Sequence, residues 1–385
     1  MSEEKTPYVK LYPEEPHIWS EDTFNELLHW GTQKGMSDLL LNPGQNIFIR
    51  IHGKYLCCTK RPVRQPELAQ LVNHVSGLKN ASSTLNSGEA LDFGYALEVG
   101  RGQVLRFRGN ATSCEMRGRN GFSITLRSIP GTPPRIQDYD VEPEIMEALF
   151  PDRGLVIVTG TMGSGKSTLI SSAIRYIREE QPYRYVVTYE EPVEFDLVNI
   201  PKAAGPIAQT NVLVHLKEFC MCARNSARRA ADVTLMGESR DPETFRTTLE
   251  LSELGVASYT TAHTRSVGET MRRIIMQFDK EEQPTVLSLL GTSLQLIISQ
   301  RLVSKVGGGR IAVREWLVFT PELRAELSAM EMEPGKWVPF IQERLNQTGN
   351  SMTQYAKRLL DRGLITKEVF ENIRKDVGMG YNGVA

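Results

Sequence analysis

The sequence predicts an α/β protein in two parts, a small α+β domain followed by a larger domain with a mainly parallel sheet covered by helices. The chain has 385 residues, which is long for one domain and sufficient for two. Beyond residue 143, short apolar runs alternate with stretches of helical periodicity, as in a parallel sheet. Residues 131–143 are rich in proline and polar residues, so we expect a linker there, with domains over 1–130 and 144–385.

The first 130 residues carry signals for helices and short strands. Ser20 precedes two acidic residues, which is typical of a helix start, and Phe24, Leu27 and Leu28 would form the buried stripe of that helix, with Trp30 as a further candidate. Apolar runs bounded by turn-forming residues indicate strands in the rest of this part. The remaining expected elements are a second helix over 66–78 and strands over 38–43, 46–56, 104–112 and 121–129.

The second part contains four apolar runs that we expect to be strands of the parallel sheet. Functional groups in such sheets gather where the chain leaves the carboxyl ends of the strands. From about residue 321 the chain is largely helical and charged, so we expect a helical tail. The expected strands are 154–160, 183–190, 232–238 and 256–263, and the expected helices are 166–180, 241–254 and 266–278.

The composition is that of an ordinary globular protein without a strong charge bias. Charged residues make up 24% of the chain and the formal net charge is −1, which gives no argument for a surface that binds nucleic acid. No apolar run is long enough to span a bilayer, and the acidic N-terminus does not resemble a signal peptide. The five cysteines lack metal-ligand spacing, and their odd number suits a reducing compartment. We therefore expect a soluble cytoplasmic protein.

Residues 160–167 read GTMGSGKS and match the P-loop pattern G-x-x-x-x-G-K-[ST], directly after an expected strand and at the start of an expected helix. In such a loop the backbone N–H groups and the helix N-terminus bind phosphate oxygens. Lys166 is expected to reach the β- and γ-phosphates, and Ser167 is expected to bind Mg²⁺. The pattern therefore predicts a bound nucleoside triphosphate. The expected nucleotide-binding residues are Gly160, Thr161, Met162, Gly163, Ser164, Gly165, Lys166, Ser167 and Thr168.

Two of the expected strands end on carboxylates. Glu190 and Glu191 follow one strand and Glu238 follows another, at the edge of the sheet where Mg²⁺ and an attacking water would lie. Glu238 is suited to orient or deprotonate that water, and Gly237 occupies the position where an aspartate usually binds the metal. The alternative for each glutamate is a solvated charge on a loop.

Two further polar residues follow these strands, and each has a structural alternative. Asp241 directly precedes Pro242 and an expected helix, so we interpret it as a helix N-cap in preference to a catalytic carboxylate. His263 ends a third strand, where it would contact phosphate or the Glu238 region. A histidine in such a position can equally be a structural group.

Four motifs together resemble the secretion (traffic) ATPases. They are GTMGSGKST, TYEEPVEF, LMGESRDPET and TTAHT, in the order and spacing of the Walker A, Asp box, Walker B and His box motifs of that superfamily. Residues 34–56, 91–97 and 105–130 also resemble the N-terminal PAS-like domain of its PilT-like branch. The resemblance implies a PAS-like α+β domain followed by a RecA-like P-loop ATPase domain with a helical C-terminal tail.

The resemblance also implies a reaction and a set of partners. The reaction is hydrolysis of ATP to ADP and phosphate with Mg²⁺, in a homohexameric ring that docks on inner-membrane components of a secretion machine. A second cytoplasmic ATPase of the machine can be another partner, and no direct nucleic-acid binding is expected. We therefore expect the chain at the cytoplasmic face of the bacterial inner membrane, held there only through its partners.

The family resemblance assigns roles to the site residues. Mg²⁺ would rely on Ser167 with Glu190 or Glu191, Glu238 would position the water, and His263 would sense the γ-phosphate. The family also uses arginines of the N-terminal domain to neutralise charge on the γ-phosphate. The alternative for these arginines is that several alternate along a strand and face solvent. The matching positions are Arg106, Arg108, Arg117 and Arg127.

Two departures from related sequences indicate which branch of the superfamily this sequence resembles. Residues 319–337 keep only the start of the C-terminal segment typical of pilus-retraction ATPases, and the tetracysteine zinc motif of pilus-assembly and type II export ATPases is absent. The remaining similarity is to the DotB-like ATPases of type IVB (Dot/Icm-like) secretion and the TraJ-like ATPases of IncI-plasmid conjugation. The alternatives are a pilus-retraction ATPase, a nucleic-acid-dependent RecA-like motor and a nucleotide-binding module without hydrolysis.

Overall fold

The computed structural model describes residues 9–100, 103–116, 118–129, 131–212, 215–216, 218–219, 221–239, 241–329 and 334–381. The chain divides into two compact units, Met1–Gly131 and Thr132–Ala385. Each unit combines a sheet with helices, which confirms the predicted α/β class with an α+β N-terminal part. The bounds that the sequence suggests for the linker stay a prediction.

The described residues of the first unit form a six-stranded antiparallel sheet and three helices. Its helices are α1 (Glu21–Gln33), α2 (Gln65–Ser76) and α3 (Ala81–Asn86). Its strands are β1 (Asp38–Leu41), β2 (Phe48–Ile51), β3 (Lys54–Cys57), β4 (Leu91–Gly100), β5 (Gln103–Met116) and β6 (Arg119–Ile129). The order in the sheet is β3-β2-β1-β6-β5-β4, and every neighbouring pair is antiparallel.

Helix α1 forms as its sequence predicts. The Ser20 hydroxyl accepts a hydrogen bond from the Thr23 amide at 3.3 Å. The first backbone N–H groups of a helix have no carbonyl partner within the helix, and this bond provides a partner for one of them. Phe24, Leu27 and Leu28 are fully buried, so the helix presents the predicted apolar stripe to the core.

Two other segments of the first unit differ from the strands that the sequence suggests. Segment 46–56 contains a hairpin, because β2 pairs with β3 and the chain turns at His52 and Gly53, which have positive φ of 48° and 80°. Strand β4, where no strand is expected above, lies at the edge of the sheet, and its burial alternates from residue to residue. Leu91, Phe93, Tyr95 and Leu97 pack on the core of the unit and the residues between them are exposed, so residues 91–97 do carry the period of two that indicates a strand.

The described residues of the second unit form a seven-stranded sheet with helices on both faces. Its strands are β7 (Gly154–Thr159), β8 (Val186–Glu190), β9 (Ile207–Asn211), β10 (Val233–Met236), β11 (Ala257–Ala262), β12 (Leu294–Ser304) and β13 (Arg310–Val318). Its helices are α4 (Pro143–Ala148), α5 (Lys166–Glu180), α6 (Met221–Arg228), α7 (Pro242–Glu253), α8 (Val267–Met276), α9 (Gln283–Ser293), α10 (Pro321–Ala329), α11 (Pro334–Thr348), α12 (Met352–Asp361) and α13 (Lys367–Tyr381). The order in the sheet is β13-β12-β7-β11-β10-β8-β9, and all neighbours are parallel except β12 and β13.

Strand β7 shows why the predicted strands are continuous apolar runs. Val156 and Val158 pack into the cluster that contains the buried residues of α5, while Leu155 and Ile157 pack into the cluster that contains those of α7 and α8. Both faces of the strand are therefore buried. A parallel sheet covered on two sides selects apolar residues at every position.

Part of residues 131–143, which the sequence suggests as a linker, packs on the second unit. Ile136 is fully buried in its core, and Tyr139 and Val141 pack against the same cluster. Regular structure here is limited to a 3₁₀ turn, Ile136–Asp138, followed by the start of α4. The segment therefore contributes to the core of the unit that it precedes.

The C-terminal helices are also part of the second unit. Leu327, Trp337 and Ile341 are buried in the cluster that contains α8, and Trp316 of β13 packs edge-on against Tyr355 of α12 with ring centroids 5.4 Å apart. The predicted helical character is confirmed. These helices pack on the core of the second unit and do not form a free tail. Among the described residues, every helix is too short or too polar to cross a membrane.

Candidate active site

The predicted site residues of the second unit meet at one edge of its sheet. The P-loop follows β7, Glu190 ends β8, Glu238 follows β10 and His263 follows β11. These strands are parallel neighbours in the order β7-β11-β10-β8. Because their carboxyl ends lie at the same edge, the loops that follow them converge there.

Glycines let the P-loop fold tightly against β12. A Cβ on Gly160, where φ is 150°, would lie 2.3 Å from the carbonyl oxygen of Gln300, and one on Gly165, where φ is 86°, would lie 2.9 Å from the Nε2 of Gln300. A larger residue at either position would displace the loop. Ser164 is buried, whereas Met162 is 91% exposed.

The N-terminus of α5 is suited to an anion. Helix α5 begins at Lys166, and Ser167 and Thr168 follow in the first turn. Among the described residues no side chain caps this helix, and its first turn contains no acidic residue. The partial positive charge of a helix N-terminus and its backbone N–H groups favour a phosphate.

Lys166 is buried at the base of the P-loop. Its Nζ donates to the carbonyl oxygens of Gly160 at 2.8 Å and Thr161 at 3.1 Å, and the residue is 7% exposed. Burial lowers the pKa of Lys166 from its usual value, while the negative charges of Glu238 and Glu194 act in the opposite direction. A bound phosphate would compensate for the burial of this ammonium group.

His263 lies between Lys166 and Glu238. Its Nδ1 is 3.4 Å from the Lys166 Nζ, and its Nε2 is 2.9 Å from the Glu238 Oε1. Because an ammonium group can only donate, Nδ1 accepts, and the proton of a neutral ring is then on Nε2 and faces the carboxylate. The structure therefore brings three predicted residues from three loops into one chain of contacts.

A cavity of about 210 Å³ lies beside the contact between His263 and Glu238. Glu238 and His263 line it together with Arg273 of α8, whose Nη1 donates to the His263 carbonyl oxygen at 2.9 Å. Gln277 also lines the cavity, and its Oε1 is buried without a hydrogen-bond partner in the described part of the chain. A water molecule occupies about 30 Å³ in the liquid, so the cavity has room for water next to the Glu238 carboxylate.

The adjacent carboxylates Glu190 and Glu191 have different environments, because Glu190 is buried and Glu191 is exposed. The Glu190 carboxylate accepts hydrogen bonds from the Thr188 hydroxyl at 2.7 Å, the Gln209 side-chain amide at 3.1 Å and the Glu194 backbone amide at 3.3 Å. Burial raises the pKa of Glu190, and these hydrogen bonds act against the rise. A nearby cation would favour the charged form of this carboxyl.

The backbone at Gly237 approaches the end of β8 closely. A Cβ on Gly237 would lie 3.2 Å from the Cα of Glu190 and 3.3 Å from the carbonyl oxygen of Tyr189. The Gly237 amide donates to that oxygen at 2.8 Å, and the Thr261 hydroxyl donates to the Gly237 carbonyl oxygen at 2.7 Å. An aspartate side chain at position 237 would press against the backbone that carries Glu190. The glycine and the buried glutamate therefore share one corner of the site.

Asp241 caps α7, as the sequence predicts. Its Oδ1 accepts from the Thr244 amide at 2.8 Å, and its Oδ2 accepts from the Thr244 hydroxyl at 2.8 Å. Pro242 is the first residue of the helix. Both carboxylate oxygens are thus used by the helix start.

Three of the four predicted arginines of the first unit lie on the β5–β6 hairpin. Arg106 and Arg108 are on β5, and Arg127 on β6 pairs directly opposite Arg108. Arg117 lies outside the described residues. The side chains of Arg108 and Arg127 are both exposed, and the Nε of Arg127 donates to the buried carboxylate of Asp38 at 2.7 Å. Arg127 therefore has a structural partner within its own unit.

The residues that would bind Mg²⁺ offer hydroxyl and carboxylate oxygens, which this hard cation prefers. Ser167 lies in the first turn of α5 and Glu190 at the end of β8, both at the edge where the loops converge. The buried Glu190 carboxyl would be stabilised in its charged form by a cation. The donor set therefore fits Mg²⁺.

Sequence patterns do not indicate several residues that shape the site. Gln209 on β9 holds Glu190, Arg273 holds the His263 backbone, and Gln300 on β12 holds the P-loop. These contacts join residues that are distant in the chain, so no local spacing reveals them. A polar residue within an apolar strand, such as Gln300, is the available signal.

Residues 116–363 match the family described as Type II/IV secretion system protein. This match covers more than half of the chain and includes the four motifs of the nucleotide site, so the chain belongs to this family of secretion and pilus motor ATPases. The chain is 31% identical over 343 residues to the type IV pilus retraction ATPase PilT of Pseudomonas aeruginosa, covering 89% of this chain and 95% of that protein.

Two solved structures of related ATPases share the fold. The ATPase DotB of Legionella pneumophila matches with a TM-score of 0.87 at 35% identity, covering 96% of this chain and 99% of that one. The pilus retraction motor PilT with bound ADP matches with a TM-score of 0.77 at 28% identity, covering 91% of this chain and 96% of that one. The predicted membership in the PilT-like secretion ATPases, with an N-terminal domain before the ATPase domain, is confirmed.

Proposed function

We propose that this chain hydrolyses ATP to ADP and phosphate with Mg²⁺ and that hydrolysis drives a type IVB (Dot/Icm-like) secretion or conjugation machine. The observation that carries the enzymatic proposal is the Lys166–His263–Glu238 chain beside the P-loop. These contacts connect the Lys166 ammonium group, which is suited to bind phosphate, to the Glu238 carboxylate, which lines a cavity with room for water.

Nucleotide binding would rest on the P-loop residues 160–168. Lys166 donates to two carbonyl oxygens of its own loop. Charged phosphate oxygens are stronger acceptors for an ammonium group than neutral carbonyl oxygens. We infer that Lys166 donates to the β- and γ-phosphates of bound ATP, and that the Nδ1 of His263 donates to the γ-phosphate only when the ring carries both protons, because an unprotonated Nδ1 and a phosphate oxygen are both acceptors.

Mg²⁺ would be held by Ser167 and Glu190, directly or through water, with Glu191 as the more exposed alternative. The ion would neutralise charge on the β- and γ-phosphate oxygens. Gly237 leaves the corner beside Glu190 free of a second side chain. A carboxylate from β8 then takes the role that an aspartate after β10 has in other P-loop enzymes.

Glu238 would orient the attacking water and accept its proton. Its carboxylate lines the cavity and is held by the Nε2 of His263. A carboxylate fixed in this way can align the water with the γ-phosphate for in-line attack. His263 would thus respond to both the γ-phosphate and the water-orienting carboxylate.

A phosphate-release assay on the full chain, with and without Mg²⁺, tests this proposal. We expect Mg²⁺-dependent hydrolysis of ATP by the wild type and its loss in Lys166→Ala, because the variant removes the ammonium group at the base of the P-loop. The variant Lys280→Ala, which removes an exposed lysine elsewhere in the unit, is the matched control. Wild-type turnover by Lys166→Ala would remove the P-loop from the mechanism.

The active assembly that we propose is a homohexameric ring with ATP between an ATPase domain and an N-terminal domain. Arginines of the N-terminal domain would neutralise γ-phosphate charge, and the exposed Arg108 is the best candidate among Arg106, Arg108, Arg117 and Arg127. The ring would dock on inner-membrane secretion components at the cytoplasmic face, where a second cytoplasmic ATPase can join it. Direct nucleic-acid binding is not part of the proposal.

Pilus retraction is the second candidate pathway. The similarity to PilT of Pseudomonas aeruginosa spans 95% of that protein, and the similarity to DotB of Legionella pneumophila spans 99% of that structure. The sequence at 319–337 departs from the retraction ATPases, which favours the secretion pathway. Expression of the chain in cells lacking PilT and in cells lacking DotB distinguishes the two, because restored secretion supports the first pathway and restored retraction supports the second.

A further inference from the structure

Gln300 and Arg314 form a buried polar pair behind the P-loop. They are direct cross-strand neighbours on β12 and β13, and each is 3% exposed. The Gln300 Nε2 donates to the carbonyl oxygen of Ser164 at 2.8 Å, and the Gln300 Oε1 accepts from the Nε of Arg314 at 2.9 Å. One glutamine therefore joins the predicted phosphate-binding loop to a buried guanidinium group.

The other end of Arg314 holds the start of the second unit. Its Nη1 donates to the carbonyl oxygen of Asp140 at 2.7 Å and lies 3.2 Å from the Oε2 of Glu142. Removing one partner from a buried ion pair leaves an uncompensated charge, which is costly, so the contacts of Arg314 are expected to persist. Residues 140–142 follow the point where the chain leaves the first unit.

The hydrogen bond from Gln300 also orients the P-loop. In a trans peptide the C=O and N–H groups lie in one plane and point in opposite directions. Because the Ser164 oxygen faces Gln300, the N–H of Gly165 in the same peptide points away from Gln300. Backbone N–H groups that point into the loop are the groups that bind phosphate in a P-loop.

We propose that Gln300 and Arg314 are positioning residues of the nucleotide site, which hold the P-loop in its phosphate-binding conformation and couple it to residues 140–142. This inference rests on the proposed function, since it requires that the P-loop binds ATP. Such coupling is reciprocal, so the attachment of residues 140–142 raises nucleotide affinity and bound nucleotide restrains these residues by the same factor.

The variant Gln300→Glu separates the two hydrogen bonds of the glutamine. Its carboxylate can still accept from Arg314 but offers no donor to the Ser164 oxygen. We expect the Kd for a fluorescent ATP analogue with Mg²⁺ to rise about ten-fold, as for the loss of one hydrogen bond at a binding site. The KM for ATP should rise with it while kcat stays close to the wild-type value, because Gln300 does not contact the reacting atoms.

Two more variants separate a loss of nucleotide affinity from a loss of folding stability. Arg314→Lys keeps the positive charge but cannot donate to Gln300 and to residues 140–142 in the same geometry, so it should also weaken binding of the analogue. Tyr259→Phe is the matched control, because its hydroxyl donates to the Leu149 carbonyl oxygen at 2.7 Å and is fully buried in the same unit. It should lower thermal stability as the other variants do and leave the Kd unchanged.

Hydrogen exchange of the backbone amides of residues 140–146, measured with and without the ATP analogue, tests the coupling. We expect the analogue to slow exchange there in the wild type and in Tyr259→Phe, but not in Gln300→Glu at saturation. Wild-type affinity in Gln300→Glu, or an equal slowing of exchange in that variant, would overturn the inference alone. A wild-type chain that binds no nucleotide would overturn the proposed function and this inference with it.

Discussion

At the scale of single residues, Glu238 and Glu190 show how environment separates two carboxylates of one site. Glu238 contacts the His263 imidazole and lines a cavity with room for water. Glu190 is 4% exposed and accepts three hydrogen bonds, and its pKa is raised by burial. A carboxylate near water suits proton transfer, and a buried carboxylate suits a cation. We therefore expect substitution of Glu238 to impair hydrolysis and substitution of Glu190 to change the pH dependence of stability.

The variant Glu238→Gln tests the water-orienting role. We expect it to bind ATP as the wild type does and to hydrolyse it at least about 10²-fold more slowly, because an amide cannot accept the proton of the attacking water. Binding of a fluorescent analogue and phosphate release, measured on the same preparation, separate the two effects. Glu243→Gln, an exposed glutamate in the first turn of α7, is the control. Near-wild-type turnover by Glu238→Gln would remove this residue from the chemistry.

The pH dependence of stability tests the burial of Glu190. Because burial raises its pKa in the folded state, the stabilisation associated with its protonated form is present below the unfolded value of about 4.3 and is lost as pH rises through the folded pKa. Glu190→Gln cannot ionise. We therefore expect the free energy of unfolding of the variant, minus that of the wild type, to increase in urea titrations as the pH rises above the unfolded value of about 4.3.

The exposed neighbour provides the comparison for this experiment. Glu191→Gln is the matched variant, because it makes the same change of side chain at the adjacent, exposed position. A difference between Glu190→Gln and the wild type that does not vary with pH would contradict the idea that an ionised Glu190 is costly in the nucleotide-free protein.

At the scale of elements, the start of α7 separates a structural carboxylate from the catalytic candidates. Asp241 uses both oxygens on Thr244, only three residues after Glu238. We expect Asp241→Ala to lower the free energy of unfolding by about 1 kcal/mol, as for other N-cap deletions, and to leave kcat near the wild-type value. Chemical denaturation and phosphate release measure the two quantities.

A second helix cap serves as the reference for this prediction. Ser20→Ala removes the corresponding cap of α1 in the first unit and should cost a similar free energy. If Asp241→Ala lost hydrolysis as completely as Glu238→Gln, the carboxylate of Asp241 would have a role beyond the helix cap.

At the scale of the whole molecule, the arginines of the first unit provide the test of assembly. Arg108 is exposed on β5, directly opposite Arg127, whose Nε bonds to Asp38. We expect Arg108→Ala to slow hydrolysis under conditions in which subunits assemble and to leave nucleotide binding by isolated subunits nearly unchanged, because the guanidinium would act on ATP of a neighbouring subunit.

Molecular mass measured by light scattering with and without ATP and Mg²⁺ identifies the assembled form for this experiment. Lys54→Ala removes an exposed cation on β3 of the same unit and should hydrolyse ATP at the wild-type rate. Equal loss of nucleotide affinity in isolated Arg108→Ala subunits would mean that the arginine acts within its own subunit.

The sequence by itself determined the class of this protein. The P-loop, the carboxylates after the strands and His263 are local patterns, because phosphate binding and a strand end each require particular residues within a few positions. The N-cap roles of Ser20 and Asp241 are equally local and are confirmed. The family follows from the order of these motifs along the chain.

Only the tertiary structure decided which residues of these motifs are buried and what they contact. Glu190 is inside and Glu191 is outside, although they are neighbours in the chain. Part of residues 131–143 and the C-terminal helices pack on the second sheet, and Gln300 with Arg314 reaches the P-loop from β12 and β13. The physical reason is that these arrangements depend on contacts between distant segments, whose energies come from burial and hydrogen bonding rather than from local spacing.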